Sequence, residues 1–380
     1  MSVENTLTEL VGIDSVSQRS NAEIVSYLSQ RCEALGMRTG RLPYLDEFGV
    51  EKNNLIALAG TEFADVPAVE LVLVGHTDTV PYDPAWTNAT RLTEKDGKLY
   101  GRGACDTKAF IAAALTAVEG LDLNLLAQPL GFVFTADEEL GLFGAKRLAA
   151  AGALHSRFAI VGEPTSLQPI RAGKGYCLAE LTVRGREAHS AYPAVGASAI
   201  VRAARLISRI ETISERLKSD QHADFDPPCT TLNVGLIQGG TAKNVIPGEC
   251  RFTLEWRTVP GQDPNLVLEL LQAAIASEQQ NDPDFVCEVD AGRTDAGFET
   301  PGDSEIVRLM EGLTGRRAGT VAFGTEAPQM IELGAEAVVL GPGDIRVAHR
   351  TGEFVPVDEL RQCVEILTKA IWHYCVGIAS

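Results

Sequence analysis

Five stretches place histidine or carboxylate side chains where apolar segments end. "ELVLVGHTDTVP" runs a β-type segment into His76 and Asp78, separated by one threonine. "YGRGACDTKAF" sets Asp106 between a Gly-rich turn and an apolar helical run, and "FTADEELG" closes an apolar strand with Asp137, Glu138 and Glu139. "AIVGEPTS" ends another strand at Glu163, and "LGPGDIRVAHRTGEF" follows one more with a loop holding His349. In a strand, residues two apart point to the same side, so His76 and Asp78 share a neighbourhood at the carboxyl end of their sheet, where open α/β sheets bind ligands. An imidazole on a metal usually donates its other N–H to a carboxylate, a role that suits Asp78. Singly, these residues have plainer uses: Asp78 as a turn former, Asp106 as a helix N-cap. Together they differ. Adjacent carboxylates repel unless they share a cation or a proton. Two histidines with several carboxylates make a nitrogen and oxygen donor set suited to Zn²⁺, Co²⁺ or Mn²⁺.

The elements that position them form an α/β pattern. "NNLIALAG", "VELVLVG", "LGFVFTA" and "RFAIVGEP" are short and nearly continuous in apolar character, as strands covered on both faces by helices must be. "NAEIVSYLSQRCEALG" has helical spacing, with Ser20 or Asn21 as N-cap and Gly36 as stop. "DTKAFIAAALTAVEGL" predicts a buried Ala-rich helix under the sheet. From about Lys174 the order becomes β-α-β-β-α-β, the ferredoxin-like arrangement. After the turn-rich stretch "AGRTDAGFETPGD", α/β signals resume and close with a helix over 357–378. The expected organisation is therefore an α/β/α layer domain over 1–173 and 292–380, carrying an inserted ferredoxin-like unit over 174–291.

Composition sets the bounds. A chain of 380 residues, 45% hydrophobic, buries a large core and divides into two domains. A net charge of -18 disfavours nucleic acid or an anionic membrane as partner. No stretch approaches the roughly 20 apolar residues of a membrane span, and no secretory leader is legible, so cytoplasmic residence is expected. The eight cysteines are scattered without a CxxC pair, which suits reduced core thiols.

The motifs "GHTDTVP", "GRGACDTKA", "TADEELG", "GEPTSLQP", "AHSAYP", "GGTAKNVIP", "EWRTVPG" and "GPGDIRVAH" span nearly the whole chain. Jointly they resemble the dinuclear zinc peptidases and deacylases, a family that includes acetylornithine deacetylase, succinyl-diaminopimelate desuccinylase and carboxypeptidase G. The resemblance implies two zinc ions per chain, with cobalt as a substitute. His76 and Glu163 would hold one, Glu139 and His349 the other, with Asp106 bridging and Asp78 supporting His76. It leaves Glu138 as the free carboxylate that takes a proton from water and hands it to the leaving amine. It also implies a homodimer, in which His189 steadies the oxyanion, commonly from the partner subunit. Asn244 and Arg257 resemble residues the family uses around the substrate. An Arg fork fits a carboxylate, and a structural ion pair is equally open for Arg257.

"GEPTSLQPIRAGKG", "FGTEAPQM" and "VVLGPGDIRVAH" look more like the acetylornithine branch than the desuccinylases, whose corresponding segment reads closer to "GTSDGRF". Amide hydrolysis of N2-acetyl-L-ornithine in arginine biosynthesis is the expected activity. The rivals are another N-acyl amino acid, such as acetylcitrulline or succinyl-diaminopimelate, a short peptide, or a non-catalytic metal-binding role. Thr325 and Glu326 are candidates for contacting the amino-acid part, with Glu326 attracting a side-chain ammonium or serving structure alone. Thr107 and Ala109 stand where the family commonly has Met and Gly, which leaves the ligands intact and bears on the shape of the acyl pocket.

Overall fold

The computed structural model describes residues 1–63 and 66–377. The chain divides into two compact units: Met1–Arg171 with Thr300–Gly319 and Thr325–Ser380, and Ala172–Glu299 with Thr320–Gly324.

The first unit opens with α1 (Val3–Gly12), α2 (Ala22–Ala34), β1 (Arg38–Leu45), β2 (Glu51–Ala59) and β3 (Ala68–His76). Then come the short β4 (Thr93–Lys95) and β5 (Lys98–Tyr100), α3 (Lys108–Ala117), β6 (Leu130–Thr135), α4 (Glu138–Gly141), α5 (Phe143–Ala150), β7 (His155–Val161) and β8 (Ile170–Gly173). Its main sheet runs β1-β2-β6-β3-β7. β3 lies parallel to both β6 and β7, with Leu73 opposite Phe132 on one side and Ile160 on the other. Chain segments leaving β3 and its two neighbours therefore emerge at one edge and diverge there, the switch point at which such sheets place ligands. β6 is buried at all six positions, as its unbroken apolar run requires. β1 lacks that signal because it is an edge strand, half exposed and antiparallel to β2.

α3 is buried at nine of its ten positions and packs against α1 and, at the end of the chain, α10. Small alanines allow this, since they bring backbone close to backbone without adding polar atoms. Asn21 does stand at the N-cap of α2, yet its amide is not the cap. It bonds both backbone groups of Asn53, donating to the carbonyl at 2.8 Å and accepting from the N–H at 2.9 Å.

The second unit contains β9 (Tyr176–Arg184), β10 (Ala188–His189), α6 (Ala199–Leu217), β11 (Thr231–Gly239), β12 (Val245–Ile246), β13 (Glu249–Arg257), α7 (Leu266–Asn281), β14 (Val286–Asp295) and β15 (Phe298–Glu299). Its four-stranded antiparallel sheet has the order β11-β13-β9-β14, a ferredoxin-like path. β14 runs to Asp295, past residue 291, where turn formers had suggested the end of the insertion. Leu206, Ile210 and Ile213 of α6 and Leu271 of α7 pack with Phe252, Leu254 and Trp256 of β13.

The chain closes with α8 (Glu305–Thr314), β16 (Gly319–Val321), α9 (Ala327–Glu332), β17 (Glu336–Val339), β18 (Phe354–Pro356) and α10 (Val357–Ile371). β17 extends the first unit's sheet, parallel to β7 with Val339 opposite Val161. α10 ends in a π-helical turn over Trp372–Val376, and residue 378 of the expected closing helix lies outside the described residues. All eight cysteines are free, and seven are buried. Among the described residues no helix is long and apolar enough to cross a membrane.

Candidate metal centre

Four parallel strands deliver side chains to one edge: β3 ends at His76, β6 leads into Glu138 and Glu139, β7 leads into Glu163, and β17 leads into the loop of His349. Asp106 arrives from the turn before α3, where Gly103 has φ +76 and a Cβ would stand 2.7 Å from Thr79 Cγ2. Only glycine meets both demands. Asp106 is not the N-cap of α3; that position is Thr107. Its carboxylate faces two histidines instead. His76 Nε2 lies 2.9 Å from Oδ1, and His349 Nε2 lies 3.1 Å from Oδ2. His349 Nε2 also stands 3.0 Å from Glu139 Oε1. Ligand atoms of His76, Asp106 and Glu139 lie within 4.8 Å of one another. His349, at φ +59, is a non-glycine residue in the left-handed region, a conformation held where surroundings over-determine it.

The imidazole of His76 is oriented from behind. Its Nδ1 meets the backbone oxygen of Asp78 at 3.0 Å, while the Asp78 carboxylate is 3.7 Å away. The structure therefore gives the close contact to the carbonyl of Asp78 rather than to its carboxylate. That carboxylate accepts hydrogen bonds from the Ser17 hydroxyl at 2.7 Å and from the N–H groups of Glu138 and Glu139 at 3.2 and 3.3 Å. Asp78 thus connects His76 to the first turn of α4.

Charge in the cluster is unbalanced. Asp78, Asp106, Glu138, Glu139, Glu163 and Glu326 act electrostatically on His76, and Asp106 and Glu139 act on His349 as well. Burial, reinforced by neighbouring carboxylates, drives the carboxyls of Glu138 and Glu163 well above the ordinary value and raises Glu139 as well. Hydrogen bonds to Asp106 and Glu139 push His349 up to about 10. In His76, burial opposes protonation, yet Asp106 and Asp78 still raise it well above the usual imidazole range. Asp106 itself is depressed, because its two histidine partners outweigh its burial. A site that penalises its own negative charge in this way is suited to divalent cations, and the oxygen and imidazole donors fit zinc or cobalt.

Several expected site residues have other occupations. Thr325 Oγ1 accepts from the Ala327 N–H at 3.3 Å, and Glu326 between them is the N-cap residue of α9. Glu326, 1% exposed, accepts a hydrogen bond from the Thr135 hydroxyl, and burial raises it to about 7. The Thr107 hydroxyl donates to the Gly162 carbonyl at 3.0 Å, tying the Asp106 turn to the turn of Glu163. His189, Asn244 and Arg257 belong to the second unit. There His189 pairs with Val245, Asn244 accepts from the Ser190 N–H at 3.0 Å, and the His189 ring lies 6.0 Å from that of Tyr192. Arg257 stacks its guanidinium 3.6 Å over the Tyr176 ring and donates to Glu255 at 2.8 Å.

Sequence reasoning missed Glu353. It is 1% exposed, its Oε1 accepts the N–H groups of Cys105 and Asp106 at 2.9 and 3.0 Å, and Arg102 donates to its Oε2 at 2.6 Å. It fixes the backbone that carries Asp106 from 247 residues away. Its nearness to the His349 loop was the only available signal. Glu353→Gln weakens the Arg102 pair and offers an amide nitrogen in place of one acceptor. The expected result is about 3 kcal/mol lost in a denaturant titration and metal binding roughly tenfold weaker. Parental stability and metal content in this variant would refute the assignment.

A profile of Peptidase family M20/M25/M40 matches residues 72–373. Acetylornithine deacetylase of Myxococcus xanthus is 55% identical over 373 residues, covering 98% of this chain and 97% of that protein. Acetylornithine deacetylase of Proteus mirabilis (strain HI4320) is 36% identical, covering 96% and 93%. Among solved structures, a tripeptidase from Staphylococcus aureus superposes with TM-score 0.77 at 26% identity, over 97% of this chain and 96% of the other. The M20 family metallo-carboxypeptidase Sso-CP2 from Sulfolobus solfataricus gives TM-score 0.77 at 20% identity, over 98% and 99%, a likeness of fold.

Proposed function

Because the chain belongs to peptidase family M20/M25/M40, we propose that it is a metal-dependent amidohydrolase that cleaves N2-acetyl-L-ornithine to L-ornithine and acetate, serving arginine biosynthesis. The observation that carries the chemistry is Asp106, whose two oxygens each face one histidine of the cluster. The likeness to two acetylornithine deacetylases supports the substrate.

In this reading His76 with Glu163 would hold one metal ion and His349 with Glu139 another, Asp106 would serve both, and zinc or in its place cobalt would suit these donors. Such ions supply Lewis acidity to the scissile carbonyl and make water more acidic. Glu138 has no ligand duty, so its carboxylate accepts the proton of the attacking water and returns it to the departing amine. Asp78 holds the His76 ring through its carbonyl and the Glu138 backbone through its carboxylate. Thr325 and the second oxygen of Glu326 are proposed to read the amino-acid part, with Asn244 and Arg257 as further substrate contacts.

His189 is proposed to steady the oxyanion. His189→Ala should lower kcat by about 10²- to 10³-fold with metal content unchanged; loss of metal would make it a ligand and overturn this role. A homodimer is proposed on the exposed edge strand β11, where Leu236 and Ile237 are 71% and 56% exposed. Such an edge is open to pairing with a second chain. The free cysteines suit a reducing compartment, here proposed as the cytoplasm.

The test of substrate is amine release by zinc-loaded protein from N2-acetyl-L-ornithine, N-acetyl-L-citrulline, N-succinyl-diaminopimelate and a dipeptide. The expected result is a kcat/KM for acetylornithine at least about tenfold above the others, which is 1.4 kcal/mol of discrimination. Preference for another of the four would keep the mechanism and replace the substrate.

A further inference from the structure

We propose that Lys52 is a positioning residue for the turn that presents Glu138 and Glu139, an inference that rests on the base and ligand roles given to those two glutamates. Lys52 lies on β2 and is 1% exposed. An ammonium group so deeply buried is costly unless each of its three protons finds an acceptor. Here all three do: the carbonyl of Ser17, the carbonyl of Arg19 at 2.8 Å, and Asp137 Oδ1 at 2.9 Å.

Those acceptors lead to the glutamate turn by two routes. Asp137 immediately precedes Glu138 and sits at φ +55, a left-handed conformation that a residue with a side chain adopts at a cost. Its carboxylate is held from two sides, by Lys52 on Oδ1 and by the Tyr44 hydroxyl on Oδ2 at 2.8 Å. The second route runs through Ser17. Lys52 binds its carbonyl, and its hydroxyl donates to Asp78, the carboxylate that receives the N–H groups of Glu138 and Glu139. One ammonium therefore braces both the residue before the turn and the acceptor of the turn's first two amides. A buried pair that served stability alone could be replaced by apolar packing at little cost. A pair that sets the direction of Glu138 and Glu139 could not.

The experiment is zinc titration of metal-free protein by calorimetry, with steady-state kinetics beside it, for the parent and for Lys52→Met, Lys52→Arg and Tyr44→Phe. In Lys52→Met, one of the two zinc ions is expected to bind about 10- to 100-fold more weakly while the other keeps its affinity, and kcat falls by a similar factor at unchanged KM. Lys52→Arg should recover part of both losses. Tyr44→Phe, which removes only the hydroxyl on Asp137, should reproduce the same split at about threefold to tenfold. If Lys52→Met does not fold, Tyr44→Phe decides. Parental zinc isotherms and kcat in folded variants would overturn the proposal, as would an equal weakening of both ions together with a raised KM. If the parent binds zinc but hydrolyses no N-acyl amino acid, the functional reading fails separately, and the isotherms still decide the role of Lys52.

Discussion

Glu138→Gln is expected to bind two metal ions per chain as the parent protein does and to lose turnover by roughly 10⁴-fold. The side chain keeps its length and shape, and its backbone N–H still has Asp78 as acceptor. What disappears is the ability to take up a proton and release it again, a contribution that general bases make at up to about 10⁴-fold. Burial is the leading cause that raises the Glu138 carboxyl well above its ordinary value, with Glu139, Glu326 and Asp106 adding to the rise and His76 opposing it. A base works in its deprotonated form, so parental kcat/KM should fall as pH drops through this pKa. Residual activity of the glutamine variant should lack that limb. Steady-state rates across pH, with metal content by elemental analysis, check both points. Turnover near the parental level would remove Glu138 from the mechanism.

Asp106→Asn should cost metal as well as rate. The aspartate offers one oxygen to each side, with His76 at 2.9 Å and His349 at 3.1 Å marking the two directions. Asparagine keeps one carbonyl oxygen and turns an N–H donor toward the other side, where a cation would be repelled rather than held. At least one ion per chain is expected to be lost and kcat/KM to fall by about 10³-fold or more, several kcal/mol of transition-state stabilisation. The fold should survive, because the N–H groups that Glu353 accepts belong to the backbone of Cys105 and Asp106. The decisive measurement is metal stoichiometry on folded protein. Two ions retained at parental affinity would show that Asp106 does not bridge, whatever the rate.

Residue order alone showed which side chains could gather at one edge of the sheet. His76, Glu138, Glu139, Glu163 and His349 stand at or beyond the carboxyl ends of apolar segments, and strands that run parallel must bring those ends to one edge. The change from α/β alternation to the β-α-β-β-α-β order was legible for the same local reason. What local pattern cannot carry is a partner far along the chain. The hold of Glu353 on Asp106, of Ser17 on Asp78, and of Lys52 and Tyr44 on Asp137 spans 61 to 247 residues, and each is a hydrogen bond with a residue that reads as an ordinary polar position, Glu353 accepting and the others donating. Tertiary structure also decided which atom of Asp78 meets His76, since its carbonyl and carboxylate lie on one residue and only packing separates them. Residue type and spacing select which side chains reach the site, whereas the directions in which they point depend on buried donors and acceptors that must find partners once the chain is compact.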